Sequence, residues 1–170
     1  MGKSILITGA TRGLGRHLAT QFARRGYRLA LTGRDPAVLE ALAQELAADA
    51  EAPAGTEPRI VTAELDVRDA ARTREVLANC AGQLGGLDIV VANAGVALPS
   101  PAGKDSLEQA RTVIEINVMG AINTLDAAVQ LFLDQGHGHL VGVSSVAGAR
   151  GMRNQGAYCA SKAALNRYLE

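Results

Sequence analysis

The chain lacks an excess of either charge: Lys plus Arg total 17 of its 170 residues and Asp plus Glu total 17, for a formal net charge of zero. Nucleic acids and anionic membrane surfaces are met by a basic surplus or patch, so neither is an expected partner. Cysteine is nearly absent. Cys80 and Cys159 lie far apart with no CxxC or metal-ligand spacing, and read as free thiols in a reducing, cytoplasmic compartment. His17, His137 and His139 form no ligand set, and no metal site is expected. No apolar run approaches the length of a membrane span. A signal peptide does not fit the start, because Arg12 and Arg16 soon interrupt the apolar residues from Ile5.

What is present is aliphatic. Hydrophobic residues make up 48% of the chain, mostly Ala, Leu and Val, enough for one globular domain over residues 1–170. The aromatics Phe22, Tyr27, Phe132 and Tyr168 read as packing residues. Met1 followed at once by a strand reads as a natural N-terminus, whereas Glu170 closes the chain inside a helix with no C-cap signal.

Buried-strand runs alternate with helical periodicity. Strands are expected at Lys3–Thr8, Arg28–Thr32, Arg59–Leu65, Leu87–Ala92 and His139–Ser144. Helices are expected at Leu14–Arg25, Pro36–Asp49, Asp69–Leu84, Ser106–Gln135 and from Tyr158 to the end. Pro36 suits a first helical turn, where its missing N–H would be unpaired anyway. Glu51–Pro58, with Pro, Gly and Thr, reads as a solvated loop. This alternation implies βαβ units and a parallel sheet with helices on both faces.

Between the first strand and first helix runs Thr8-Gly9-Ala10-Thr11-Arg12-Gly13-Leu14-Gly15. Glycines at such a junction let backbone N–H groups approach a pyrophosphate at the helix N-terminus, where a side chain would block it. The spacing, TGxxxGxG, resembles the fingerprint of the short-chain dehydrogenase/reductase family, and the resemblance recurs along nearly all of the chain. It implies a Rossmann-type, doubly wound parallel sheet in three α/β/α layers. It also implies further strands and a substrate-covering lid after Glu170, so the fold is expected to be C-terminally incomplete.

The resemblance assigns cofactor contacts to Gly9, Thr11, Arg12, Gly13, Leu14 and Gly15. An acidic residue ending the second strand would bond the adenosine ribose and repel a 2′-phosphate. Gly33 holds that place here, followed by Arg34. Arg12 and Arg34 together suit a phosphate and look like the family's NADP-preferring type, so NADP(H) is the expected cofactor. Asp35 stands one residue on, where a small shift in register would put a carboxylate at the ribose. By resemblance Asp66 and Val67 hold the adenine ring, while Asp66 alone would read as a turn or capping residue. Asn93-Ala94-Gly95 is similar to the family's Asn-Asn-Ala-Gly signature, with Ala92 in place of the first asparagine.

Tyr158-Cys-Ala-Ser-Lys162 places a phenol and an ammonium on one helix face, four residues apart. A free phenol titrates at about 10, and a nearby cation favours its phenolate, which suits proton transfer. Tyr158 and Lys162 are also expected to contact the cofactor. Ser145, at the end of the fifth strand, lies where open parallel sheets bind ligands, and family spacing selects it over Ser144. Asn117 falls mid-helix against its propensity. By resemblance it holds a water linked to Lys162, and a helix-bending role is compatible.

The expected activity is NADP(H)-dependent interconversion of a small-molecule carbonyl and a secondary alcohol. Asn117, Ser145, Tyr158 and Lys162 are the catalytic candidates. Homo-oligomerisation through the long helix and the Tyr158 helix is the family habit. The alternative is a non-catalytic NADP-binding or scaffold fragment without a substrate lid.

Overall fold

A computed structural model describes residues 2–49, 59–104 and 106–170. The Glu51–Pro58 loop expected from composition lies outside them. Five strands, β1 (Ser4–Thr8), β2 (Arg28–Gly33), β3 (Ile60–Glu64), β4 (Ile89–Ala92) and β5 (His139–Gly142), form one sheet of order β3-β2-β1-β4-β5. Every pairing in it is parallel. The helices are α1 (Gly13–Arg24), α2 (Pro36–Asp49), α3 (Ala70–Leu84), α4 (Leu107–Ile114), α5 (Gly120–Gln135) and α6 (Gly156–Leu169).

The central strand shows why the sheet needs cover on both faces. Successive side chains of a strand point to opposite sides. In β1, Ile5 and Ile7 join Leu29, Leu31, Leu39, Leu42 and Leu46 in one core. Leu6, between them, joins Leu77, Leu84, Val90 and Phe132 in the other. All five residues of β1 are buried, so it reads as a continuous apolar run rather than an alternating one. The first core lies under α1 and α2, the second under α3 and α5. Together with the parallel strand order, this is the doubly wound Rossmann-type architecture. The order reverses direction between β1 and β4, and ligands of such sheets sit in the crevice at that switch point.

Local chemistry sets several boundaries. Asp69 caps α3 by accepting from Arg72 N at 2.9 Å, and Gly85 ends that helix in the left-handed region at φ +72°. With Gly86 also at φ +108°, β4 begins only at Ile89, two residues later than expected.

The helix expected over Ser106–Gln135 is interrupted by a π turn at Glu115–Met119, with Asn117 at its middle. Leu107–Gln135 is a continuous helical stretch of 29 residues, long and apolar enough by length and composition to cross a membrane. The sequence had shown no apolar run of that length. Half of its most apolar window is buried within the protein, and Asn117 and Thr124 sit in its buried stripe. It packs on α3 and the sheet as a core helix does.

Candidate active site

The crevice is stitched by one hydroxyl. Thr8 Oγ1 accepts from Asn93 N and Ala94 N, each at 3.1 Å, and donates to Val91 O at 3.3 Å. That uses its single proton and both lone pairs. Asn93 Nδ2 returns the tie, donating to Thr8 O at 2.8 Å and Gly9 O at 3.2 Å. The C-terminal ends of β1 and β4 are thereby held together, with the glycine loop leaving between them.

Glycine is required here by space and by dihedral angle. Gly9 has φ +65°, and a Cβ on it would lie 2.9 Å from Ala94 Cα. A Cβ on Gly15 would lie 2.3 Å from Gly9 O and 2.6 Å from Asn93 Nδ2. The helix that follows has no side-chain cap at Arg12 and no acidic residue in its first turn. Its orphan N–H groups and positive dipole end are left for an anion.

A cleft of about 660 Å³ opens over this loop. Gly9, the run Thr11 to Gly15, Arg34, the Asp66–Val67 pair, Asn93 and Gly95 all line it. Tyr158 and Lys162 do not. At the far end Gly33 is buried, with room for no side chain, since a Cβ would meet Thr11 Cγ2 at 2.9 Å. Arg12 and Arg34 are exposed, and neither makes an ion pair among the described residues. Asp35 also reaches the cleft, but its Oδ1 accepts from Ala37 N at 3.0 Å and Val38 N at 3.1 Å. That carboxylate caps α2.

Asp66 is bound by its neighbour. Its oxygens accept from Arg68 N and Nε at 3.0 Å and from Nη2 at 2.6 Å. The bonded guanidinium holds the Asp66 carboxyl below the usual aspartate range, against a smaller opposing effect of burial. Arg34 adds a weaker pull in the same direction. Val67 is buried, and α5 begins against it so closely that a Cβ on Gly120 would lie 2.4 Å from Val67 Cγ2. Asn123 Nδ2 fixes the same corner by donating to Val67 O at 2.9 Å.

At the other end of the cleft, Gly95 is the junction. A Cβ on it would lie 3.3 Å from Asn117 Oδ1 and 3.7 Å from Lys162 Nζ. Asn117, 1% exposed, accepts from Val96 N at 2.8 Å and donates from Nδ2 to Val96 O at 2.9 Å and Ser161 Oγ at 3.0 Å. Ser161 Oγ in turn donates to Tyr158 O at 2.7 Å. The amide therefore clamps the Gly95–Val96 backbone to the first turns of α6.

Lys162 is 5% exposed, and burial pushes its ammonium pKa down. Its Nζ donates to Val143 O at 2.7 Å and stands 5.9 Å from the Tyr158 ring centroid. That is within cation–π range of the ring face. Ser145 precedes the 3-10 turn Val146–Gly148 and caps it, its Oγ accepting from Ala147 N at 3.1 Å. Among the described residues the Ser145 proton has no acceptor and is left to donate. Ser144 Oγ donates to Lys162 O at 3.3 Å, a structural tie.

Thr8 and Ser161 are not among the residues singled out from the sequence. The signal for Thr8 is a lone hydroxyl closing an apolar strand. For Ser161 it is a small polar residue one helical turn beyond Tyr158.

A model of the family described as short chain dehydrogenase matches residues 3–170. Over 168 residues the chain is 44% identical to an uncharacterized oxidoreductase of Myxococcus xanthus, covering 99% of this chain and 64% of that protein. Over 165 residues it is 33% identical to the NADP-dependent 3-hydroxy acid dehydrogenase YdfG of Salmonella typhi, covering 96% of this chain and 62% of that one. An alcohol dehydrogenase from the archaeon Thermococcus sibiricus, solved in complex with 5-hydroxy-NADP, superposes with a TM-score of 0.89 at 32% identity. That match covers 99% of this chain and 68% of the archaeal one. The chain thus spans somewhat under two thirds of the length of the curated relatives it matches. The match over residues 3–170, on a Rossmann-type sheet with a glycine loop at its switch point, makes this chain a member of the short chain dehydrogenase family.

Proposed function

We propose that the protein is an NADP(H)-dependent oxidoreductase that interconverts a small-molecule carbonyl and a secondary alcohol. The observation that carries the reading is Gly95, which lines the dinucleotide-sized cleft and also abuts both Asn117 and Lys162. A ligand extended along the cleft from Arg34 would end at that cluster.

The residues present fit the cofactor. Gly9, Gly13 and Gly15 with the uncapped start of α1 would hold the pyrophosphate. Arg12 and Arg34, free of ion pairs among the described residues, would hold a 2′-phosphate carrying about −1.5 to −2 charges. Val67 and Asp66 would flank the adenine, and Asn93 and Gly95 would let the nicotinamide ribose lie on the backbone. The relative from Salmonella typhi is named as NADP-dependent, and the archaeal structure holds an NADP derivative.

Bound NADP(H) supplies the redox equivalent, so that alcohol and NADP+ interconvert with carbonyl, NADPH and a proton. The chain's own part is proton handling and orientation. The Ser145 hydroxyl, which accepts from Ala147 N and keeps its proton and a second lone pair, donates to the carbonyl oxygen or accepts from the alcohol. Tyr158 exchanges the proton with that oxygen, a role worth about 10²–10⁴ in rate for a placed acid–base group. Lys162 orients the ribose and keeps a positive charge beside the phenol. Asn117 positions Gly95 and α6 rather than touching the reacting atoms.

NADPH consumption against a panel of ketones and 3-oxoacyl thioesters, with Tyr158→Phe as control, tests this. Turnover lost in the variant is the expected result. Cofactor binding with no turnover of any substrate would favour a non-catalytic dinucleotide-binding protein.

A further inference from the structure

The helix that carries Tyr158 and Lys162 starts without a cap of its own. Gln155 holds the N-cap position of α6 but makes no side-chain cap bond. Its φ of −124° and ψ of 28° lie outside the extended backbone that a local cap adopts. Its Oε1 is buried without a partner among the described residues. The chain enters this position from Asn154, the one non-glycine residue at positive φ among those described, at +60°. Asparagine tolerates that left-handed backbone better than most residues. The first N–H groups of α6 therefore need an acceptor from elsewhere in the fold.

Ser100, in the loop between β4 and α4, supplies one. Its Oγ accepts from Ala157 N at 3.2 Å, across 57 residues of sequence. Its own N donates to Asn154 O at 2.9 Å, which fastens the left-handed residue to the same loop. Ser100 is 9% exposed, so both bonds are largely shielded from water.

The loop is fastened to α6 a second time. Asn117 holds Val96 through its N and O, and donates to Ser161 Oγ at 3.0 Å. Along α6 the two attachments, at Ala157 and Ser161, fall on either side of Tyr158. Asn117 secures the later side, and Ser100 the earlier one.

We propose that Ser100 is a positioning residue for proton transfer, capping α6 from the β4–α4 loop and so setting where Tyr158 stands. This rests on the reading of Tyr158 given above and adds the residue that holds its helical turn in place. Tyr158 is the third residue of α6, within the turn that frays first when a cap is lost. A reacting group moved by about 1 Å costs on the order of 100-fold in rate, so partial fraying costs less than that but remains measurable. The glycine loop and Arg34 lie on other elements, and cofactor affinity does not depend on the Ser100 hydroxyl.

The test compares Ser100→Ala, which removes the hydroxyl and keeps the backbone bond to Asn154, with Ser100→Thr, which keeps the acceptor. Both variants are shown to be folded by their thermal midpoints. In Ser100→Ala the Ala157 amide should exchange with solvent about 10-fold faster, as loss of a cap requires. Its kcat for carbonyl reduction should fall on the order of 10-fold, while the dissociation constant for NADPH changes less than about twofold. Ser100→Thr should restore both kcat and amide protection. An unchanged kcat in Ser100→Ala, a matching loss of NADPH affinity, or an equal fall in Ser100→Thr overturns the proposal. A second readout needs no turnover. The chain has three tyrosines, so labelling their Cζ atoms with carbon-13 gives three NMR signals, and Tyr158→Phe identifies the one from Tyr158. That signal should shift in Ser100→Ala and return in Ser100→Thr. Where no substrate is reduced by the unaltered protein, the catalytic reading alone has failed, and the Tyr158 signal and the amide exchange decide the role of Ser100. If neither responds to Ser100→Ala, Ser100 does not position α6 and the proposal falls.

Discussion

The two ends of the main cleft are built by different means. At the phosphate end the contact surface is backbone, brought close by glycine and by a helix start with no side-chain cap. At the reacting end the geometry is held by side chains, through Asn117 to Val96 and Ser161 and through Lys162 to Val143. A backbone surface fails abruptly, because one added methyl group fills it. A side-chain network fails by degrees, because each bond is worth about 0.5–1.5 kcal/mol net and its neighbours remain.

Substitutions can break that contrast, and the largest effect is expected at Gly15. A methyl group there would meet Gly9 O at 2.3 Å, a backbone atom that cannot swing away. Gly15→Ala should therefore abolish measurable NADPH binding by fluorescence titration. Retained binding would mean that the loop relaxes more easily than its packing indicates. Next is Arg34→Asp, which should weaken NADPH on the order of 100-fold while changing NADH far less, as loss of a charge-assisted phosphate contact and gain of repulsion require. Equal losses for the two cofactors would reject the assignment of Arg34.

The reacting end should respond more mildly. Ser161→Ala removes the hydroxyl between Asn117 and Tyr158 O and leaves one amide hydrogen of Asn117 unpaired. A stability loss of about 1–3 kcal/mol in urea titration is expected, with a smaller fall in kcat than any change at Tyr158 gives.

The smallest effect concerns acid. Asp88 accepts from Ser4 N at 2.7 Å and Ser4 Oγ at 2.9 Å, bonds that hold its pKa below the ordinary 3.8. Asp66 is lowered likewise by Arg68. A carboxyl with a depressed folded-state pKa contributes fully above its unfolded value and loses that contribution as pH falls through the folded one. Both contributions should be intact above about pH 5 and fade below about pH 4, and Asp88→Asn should flatten that part of the stability profile.

The same contrast explains what could be read before any coordinates. Local signals carried the phosphate end: a glycine loop between strand and helix, Pro36 opening α2, and Asp69 before α3 are all legible within a few residues. A parallel sheet with helices on both faces followed from alternation of strand and helix periods, and its doubly wound order from the family resemblance. The reacting end depends on partners far apart in sequence. Thr8 bonds to Asn93 across 85 residues, and Asn117 to Ser161 across 44, so the local signal at each hydroxyl does not name its partner. Asn117 stood out only as a poor helix former, and the π turn beneath it is a tertiary outcome. The Asp35 ambiguity was likewise beyond the sequence, since only the capping bonds to Ala37 and Val38 show where that carboxylate is engaged.

The division into a binding end and a reacting end is tested most directly by Tyr158→Phe, with NADPH affinity and the rate of carbonyl reduction measured on the same sample. The rate should fall by about 10²–10⁴, while the dissociation constant for NADPH changes less than about tenfold. A variant that reduces substrate at close to the original rate, or one that loses NADPH and rate together, would contradict the account.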